Sequence, residues 1–195
     1  MKTFSLFLLL AFGFVFPAAA QTTWTFDKSH TTIGFEVTHL VITTVDGKFK
    51  EFDGTVTTKG DSFDDARIEF TADVASIDTE NEKRDQHLKS DDFFNAGKYP
   101  KLIFKSTSMK KTGNNTYKLT GDLTIRDKTK RVTLDVTYNG TTKDPWGNTK
   151  AGFKLRGTIN RFDYDLKWNT MTEAGGAVVG KSVDFNINIQ LVKKS

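Results

Sequence analysis

ARIEFTADVASI, residues 66–77, alternates apolar and polar side chains more regularly than any other part of the 195-residue chain. Its apolar positions are Ile68, Phe70, Ala72 and Val74, with polar residues between them. Successive side chains of a β-strand point to opposite faces of the sheet. The pattern therefore predicts a strand with one face buried and the other in water.

The same alternation recurs on both sides of this stretch, from residue 24 to residue 191. Turn residues at 113–115, 127–129 and 144–147 separate the apolar runs, and a longer loop spans 160–180. We expect eight to ten antiparallel strands with short connections. Because closing the sheet removes its exposed edges, the class is all-β and the architecture is a closed barrel. A barrel of about eight strands can hold one small ligand.

The two-residue alternation of apolar and polar side chains changes at one place, around residues 79–94. Residues 81–89 are rich in helix formers and lack Gly and Pro, and Thr79 or Asp78 is the predicted N-cap. The apolar pair Phe93 and Phe94 follows directly. We expect a short helical insert that closes one end of the barrel, and whether it also touches a ligand is left open.

The first twenty residues have the pattern of a secretory signal peptide. Lys2 precedes an apolar run over 4–16 and small residues at 18–20. We therefore expect a leader at 1–20, a single domain at 21–195, and a periplasmic or secreted protein. The chain has no Cys, and export without disulfides is typical of a bacterial envelope protein. No later segment approaches the roughly 20 apolar residues of a membrane helix.

Charge and motif spacing argue against several classes of function. The net charge of +4 is spread along the chain rather than gathered in a basic stripe, so no nucleic-acid partner is expected. His30, His39 and His87 show no metal-ligand spacing, so no metal is expected. A nucleophile motif with its partners is also missing, so no catalytic residue is assigned. The alternative is an enzyme that uses Arg84 and His87 on a lipid head group.

Several blocks of the sequence resemble the YceI-like family of secreted lipid-binding proteins. They are Asp27-Lys28-Ser29-His30 with Phe35-x-Val37-x-His39, Arg84-Asp85-x-His87-Leu88, Phe93-Phe94 with Tyr99-Pro100, and Asn160-Arg161-x-Asp163-Tyr164. Where the family pattern leads us to expect Asp-Phe-Gly, this chain reads Asp163-Tyr164-Asp165. The resemblance implies an extended, eight-stranded, lipocalin-like barrel. It further implies that the barrel sequesters or carries a polyisoprenoid, such as a quinone tail or polyprenyl phosphate, and that it has no covalent cofactor.

Two sets of residues are candidates for binding such a lipid. Arg can bind phosphate oxygens in a forked geometry and His can donate to a carbonyl. The head-group candidates are Arg84, His87 and Arg161, followed by His30 and His39. Residues on the apolar faces of strands, and the Phe pair after the helix, are the tail-lining candidates: Phe35, Phe70, Phe93, Phe94, Phe104, Leu123, Phe153 and Phe185.

Alternation alone also fits an outer-membrane barrel, whose apolar residues face lipid and whose lumen is polar. The terminal residues 191–195 lack an aromatic side chain, and the insert at 78–94 is unlike a tight periplasmic turn. The soluble carrier is therefore the preferred interpretation. The sequence leaves open whether two copies form a homodimer.

Overall fold

Within residues 21–173 and 175–194, which the computed structural model describes, the chain forms eleven strands, one α-helix and two short 3-10 helices. The predicted leader at 1–20 lies outside the described residues. The strands are β1 (Gln21–Phe26), β2 (Thr32–His39), β3 (Thr43–Phe49), β4 (Phe52–Lys59), β5 (Ser62–Asp73), β6 (Ile77–Asp78), β7 (Lys101–Gly113), β8 (Thr116–Ile125), β9 (Lys128–Lys143), β10 (Thr149–Asn160) and β11 (Val179–Lys193). The helix α1 is Glu82–Lys89, and the 3-10 helices are Val74–Ser76 and Arg161–Tyr164.

The strands close into an antiparallel ring in the order β1, β4, β5, β7, β8, β9, β10, β11, with β11 pairing back to β1. Three of these eight positions are interrupted. β1 and β2 together form the first position of the ring, and β3 and β4 together form the second. β5 and β6 together form the third. The predicted eight-stranded barrel is confirmed, and the three interruptions bring the number of separate strands to eleven, one above the expected range.

Side-chain polarity follows the pleat throughout the barrel wall. On β8, Tyr117, Leu119 and Leu123 are buried in the interior, whereas Lys118 lies on the outside. Burying these apolar faces stabilises the barrel by about 25 cal/mol per Å² removed from water. An apolar interior with a polar exterior is the reverse of the polarity expected for an outer-membrane barrel.

Helix α1 begins later than the sequence predicts. Asn81 is its N-cap and accepts a hydrogen bond from the backbone N–H of Arg84 at 3.0 Å, so the prediction of Thr79 or Asp78 was wrong. β6 carries extended backbone through Asp78, and the left-handed Glu80, with φ of 61°, then turns the chain toward the helix. None of the described helices has the length and apolar character needed to cross a membrane.

One end of the barrel carries most of the irregular structure, and we call it the helical end. The β2–β3 turn at 40–42, α1, the 126–127 turn, the second 3-10 helix and the loop 165–178 all lie there, because strand directions alternate around the ring. Within that loop Met171 and Ala177 form an isolated bridge. Among the residues that the structure describes, the opposite end has tight turns, the start of β1 and the end of β11.

The break between β1 and β2 is held by the half-buried carboxylate of Asp27. Asp27 accepts hydrogen bonds from Lys150 Nζ at 2.8 Å and Gln190 Nε2 at 2.9 Å, and His30 Nδ1 lies 3.2 Å away. Burial by itself would raise the pKa of Asp27, but these donors together hold it well below its usual range. The carboxylate therefore links the first strand position to β10 and β11.

We expect Asp27→Asn to lower the free energy of unfolding by about 1–3 kcal/mol at pH 7, because charged hydrogen bonds are lost. A depressed pKa stabilises the fold above the unfolded-state value of 3.8 and loses that contribution as the pH falls. The difference in free energy of unfolding between the variant and the unmodified protein should therefore be smaller at pH 3 than at pH 7. Urea unfolding at both pH values measures it. The exposed Asp53→Asn is the control, and an equal difference at both pH values would contradict this role.

Candidate functional site

An apolar cavity of about 180 Å³ lies in the barrel interior. All eight tail-lining candidates line it: Phe35, Phe70, Phe93, Phe94, Phe104, Leu123, Phe153 and Phe185. Among the described residues that form its wall, Arg161 is the single charged one. The cavity is therefore a site for an apolar group, and a contact between these side chains and a bound lipid stays a prediction.

The apolar face of β11 lines the cavity along much of its length. Val183, Phe185, Ile187 and Ile189 all point inward yet are only half-buried, while Leu123 on β8 is buried. The inward side chains of β11 thus pack against the core and also present part of their surface to the cavity. An eight-stranded ring leaves such space when its side chains do not fill the interior.

Edge-to-face aromatic pairs build much of the cavity wall. The rings of Phe26 and Phe70 lie 5.6 Å apart, and those of Phe63 and Phe153 lie 4.8 Å apart. Phe94, from the segment after α1, packs its ring edge-on against Phe49 at 6.0 Å. This geometry is the favoured one for aromatic pairs, so the rings form a wall that does not need a ligand to hold it.

His87, Phe93 and Trp168 form an aromatic cluster at the helical end. The imidazole lies edge-on to both rings, at 5.1 Å from Phe93 and 5.2 Å from Trp168. Its Nε2 lies 2.8 Å from Asp92 Oδ2. His87 therefore helps to close the barrel and already has a carboxylate partner.

Arg84 belongs to a network that fixes the start of α1. Its Nε donates to Thr79 Oγ1 and its Nη2 to the Thr79 carbonyl, both at 2.8 Å. Thr79 is buried, and its hydroxyl and backbone N–H both donate to Asp85 Oδ1, at 2.5 and 2.9 Å. The Arg84-Asp85 pair thus has a local structural role, and the second terminal nitrogen of Arg84 is outside this network.

Arg161 is almost fully buried, with 2% of its surface exposed. Its Nε donates to the Gly180 carbonyl at 2.8 Å and its Nη2 to the Val179 carbonyl at 3.2 Å, while Nη1 donates to the Leu166 carbonyl. Burial lowers the pKa of the guanidinium, and the ring of Phe162 lies 4.2 Å from its Cζ. The side chain joins the end of β10 to the start of β11.

The remaining head-group candidates lie elsewhere. His30 is exposed on the barrel wall beside Asp27, and His39 ends β2 near the β2–β3 turn. The structure therefore brings Arg84 and His87 together on α1, but it does not gather all five candidates into one site. No described cluster of three or more acidic or imidazole groups has the arrangement of a metal site.

The comparison with known families matches residues 24–191 to the YceI-like domain. The chain belongs to the YceI-like family. It is 39% identical over 173 residues to a UPF0312 protein of Staphylococcus aureus strain N315, which covers 87% of this chain and 97% of that protein. A YceI protein of Campylobacter jejuni has 35% identity and a TM-score of 0.70, covering 87% of this chain and 96% of that one.

Two more distant structures share the fold of this YceI-like chain. BcnA of Burkholderia cenocepacia is 22% identical with a TM-score of 0.73, covering 85% of this chain and 98% of that one. A polyisoprenoid binding domain from Saccharophagus degradans is 14% identical with a TM-score of 0.64, covering 88% and 98%. At these identities the likeness concerns the barrel architecture alone.

Sequence reasoning missed Arg126, which secures the closure of this YceI-like barrel. Its Nη1 donates to the carbonyls of Phe93 at 2.9 Å and Asp165 at 3.1 Å, and its Nη2 donates to Asp91 Oδ1 at 2.9 Å. It thereby ties the segment after α1 to the loop after the second 3-10 helix. Residues 126–127 look like an ordinary turn in the sequence. Arg126 has a left-handed φ of 56°, and no sequence motif at this turn indicates its contacts.

We expect Arg161→Lys to lower the free energy of unfolding by about 2–4 kcal/mol, because a lysine cannot serve the same carbonyls as a planar guanidinium. Arg156→Lys, on the exposed face of β10, is the matched control and should change it by less than about 0.5 kcal/mol. Urea unfolding of the lipid-free protein measures both. Equal stability of Arg161→Lys and the unmodified protein would show that this network is not structural.

Proposed function

We propose that this protein sequesters or carries a long isoprenoid or similar amphipathic lipid in its barrel cavity, without catalysis. The observation that carries the proposal is an internal cavity walled by apolar side chains and closed by α1 and Phe93. An isoprenoid tail offers only apolar surface, and its burial is favourable by about 25 cal/mol per Å². The tail of a quinone or of a polyprenyl phosphate has this chemistry.

Family membership supports the same function. The Saccharophagus degradans domain is named for binding polyisoprenoids, and it has the same barrel architecture. The eight tail-lining candidates supply the contacts that such a ligand needs in this chain. The catalytic alternative is not preferred, because Arg84 already donates to Thr79 and the imidazole of His87 packs against Phe93 and Trp168.

We also propose that the protein acts in the periplasm or outside the cell. The pattern of residues 1–20 supports export. A carrier in an aqueous compartment would shield an isoprenoid tail from water between membranes. Mass determination of the protein recovered from its native host should give a chain that begins near Gln21, and an uncleaved chain would argue against export.

We expect the purified protein to retain an apolar compound that organic extraction and mass spectrometry detect. Val132→Trp, which places an indole ring in the cavity, should reduce the amount of that compound at least about tenfold, because overpacking excludes the tail. Thr133→Trp lies on the outer face of the same strand and is the matched control. If the protein is empty and also fails to take up geranylgeraniol, the carrier function is refuted.

A further inference from the structure

The hydrogen-bonded wall of the barrel is incomplete at the helical end. β3 pairs with β6 only at Lys48 and Phe49. Residues 43–47 pair with β2 on one side and, within the part of the chain that the structure describes, with no strand on the other. The third strand position ends at Asp78, and α1 begins four residues later. A helix uses its backbone groups internally, so α1 cannot complete the ladder.

A polar groove of about 540 Å³ lies over this gap. Thr44, Asp46 and Lys48 of β3 line one side, and Glu80 and Arg84 line the side toward α1. Asn186 of β11 also lines it, across the neighbouring strand β2. The groove therefore joins the outer face of the barrel to the unpaired edge of β3.

The groove and the apolar cavity share a wall. Gly34 and Phe35 line both spaces. Val45 and Gly47 have the inward side-chain direction of Phe49, yet they line the groove. The groove thus borders β3 at the point where the ladder stops.

One aromatic ring forms the partition at this point. The ring of Phe35 fills the space that a Cβ at Gly47 would occupy, so only a residue without a side chain fits beneath it. On its other side the ring packs against Phe49, at 5.8 Å between centroids. Phe35 is only half-buried, so a change of its side-chain rotamer is enough to alter the partition.

We infer that this groove is a side entrance to the cavity, gated by Phe35, and that its polar lining holds the head group of the bound lipid. The inference rests on the proposed carrier function. A tail that passes between β3 and α1 enters the cavity directly behind Phe35, while the head group stays in the groove. No hydrogen bond of the strand ladder has to break along this route, because residues 43–47 have none on that side.

The lining of the groove favours an uncharged head group. Three carboxylates, Asp46, Asp78 and Glu80, and two cations, Lys48 and Arg84, line the groove, and Lys50 Nζ lies 3.4 Å from Asp78 Oδ2. A phosphate would add a charge of about −1.5 to −2 beside these three carboxylates, whereas the cations already have acidic groups near them. The amides of Asn186 and Asn188 and the hydroxyl of Thr44 can donate to and accept from a neutral hydroxyl, amide or carbonyl group.

Stopped-flow binding of geranylgeraniol tests the gate. Phe35→Ala should speed both association and dissociation at least about fivefold, because a gate acts on passage in both directions. Phe104→Ala, a cavity residue away from the groove, should change dissociation alone. An association rate that stays unchanged in Phe35→Ala would overturn the gate.

A plug in the groove gives an independent test. Asn186→Trp should slow association and dissociation of geranylgeraniol at least about threefold, since a bulky ring now obstructs the route. Thr133→Trp, on the outer face of β9 and away from the groove, is the control and should leave both rates unchanged. Equal rates in Asn186→Trp and the control would refute the side entrance.

Comparison of geranylgeraniol with geranylgeranyl phosphate tests the head-group class, because the two share one tail. The alcohol should bind more tightly by at least about threefold, and Asn186→Trp should reduce that preference. Tighter binding of the phosphate would overturn the uncharged head group. If neither probe binds the unmodified protein, the carrier function itself fails, whereas unchanged rates in the variants refute only the side entrance.

Discussion

The pairing of β11 with both β1 and β2 is the contact on which the rest of the barrel depends. β11 joins β10 along eleven residue pairs on one side and meets the two halves of the first strand position on the other. Without this closure the sheet would have two free edges and an apolar face open to water. With it, every inward side chain faces the same interior, and the cavity follows from the width of the ring.

The same closure explains why the break between β1 and β2 is tolerated. β1 and β2 can be separated by a break because their common neighbour, β11, continues past it. Gln190 of β11 lies at the break, where its backbone and side chain bind Asp27 and Thr31. The apolar cavity therefore coexists with a buried polar joint in its wall, because that joint satisfies its own hydrogen bonds.

Period-two alternation was sufficient to predict the barrel and the residues that line its interior. The face of a strand residue is fixed by its parity, so residues such as Phe153 and Leu123 could be placed inside before any partner was known. Phe93 and Phe94 were placed by their position after the helix, and they too line the cavity. The interruptions at 27–31 and 50–51 carried no comparable signal.

The polar candidates were harder to place, because their surroundings are set by distant segments. Arg161 looked like a ligand contact in the sequence, yet its guanidinium serves carbonyls at 166, 179 and 180. The helix cap was also misassigned, since the left-handed turn at Glu80 separates β6 from α1. Arg126 had no pattern to reveal it. Hydrogen-bond partners of this kind follow from the fold and not from local periodicity.

An apolar wall of this kind also limits what the cavity can discriminate. A hydrophobic pocket distinguishes ligands that differ by one methylene by only about 1–3 kcal/mol, whereas a missing hydrogen bond to a polar site is far more costly. The aromatic rings around the cavity would therefore accept tails of related length and branching. If the protein carries a lipid as we propose, its selectivity would arise where polar side chains meet the apolar space. Arg161 lies at one such boundary, and the groove at the unpaired edge of β3, lined by Arg84 and Asn186, is another.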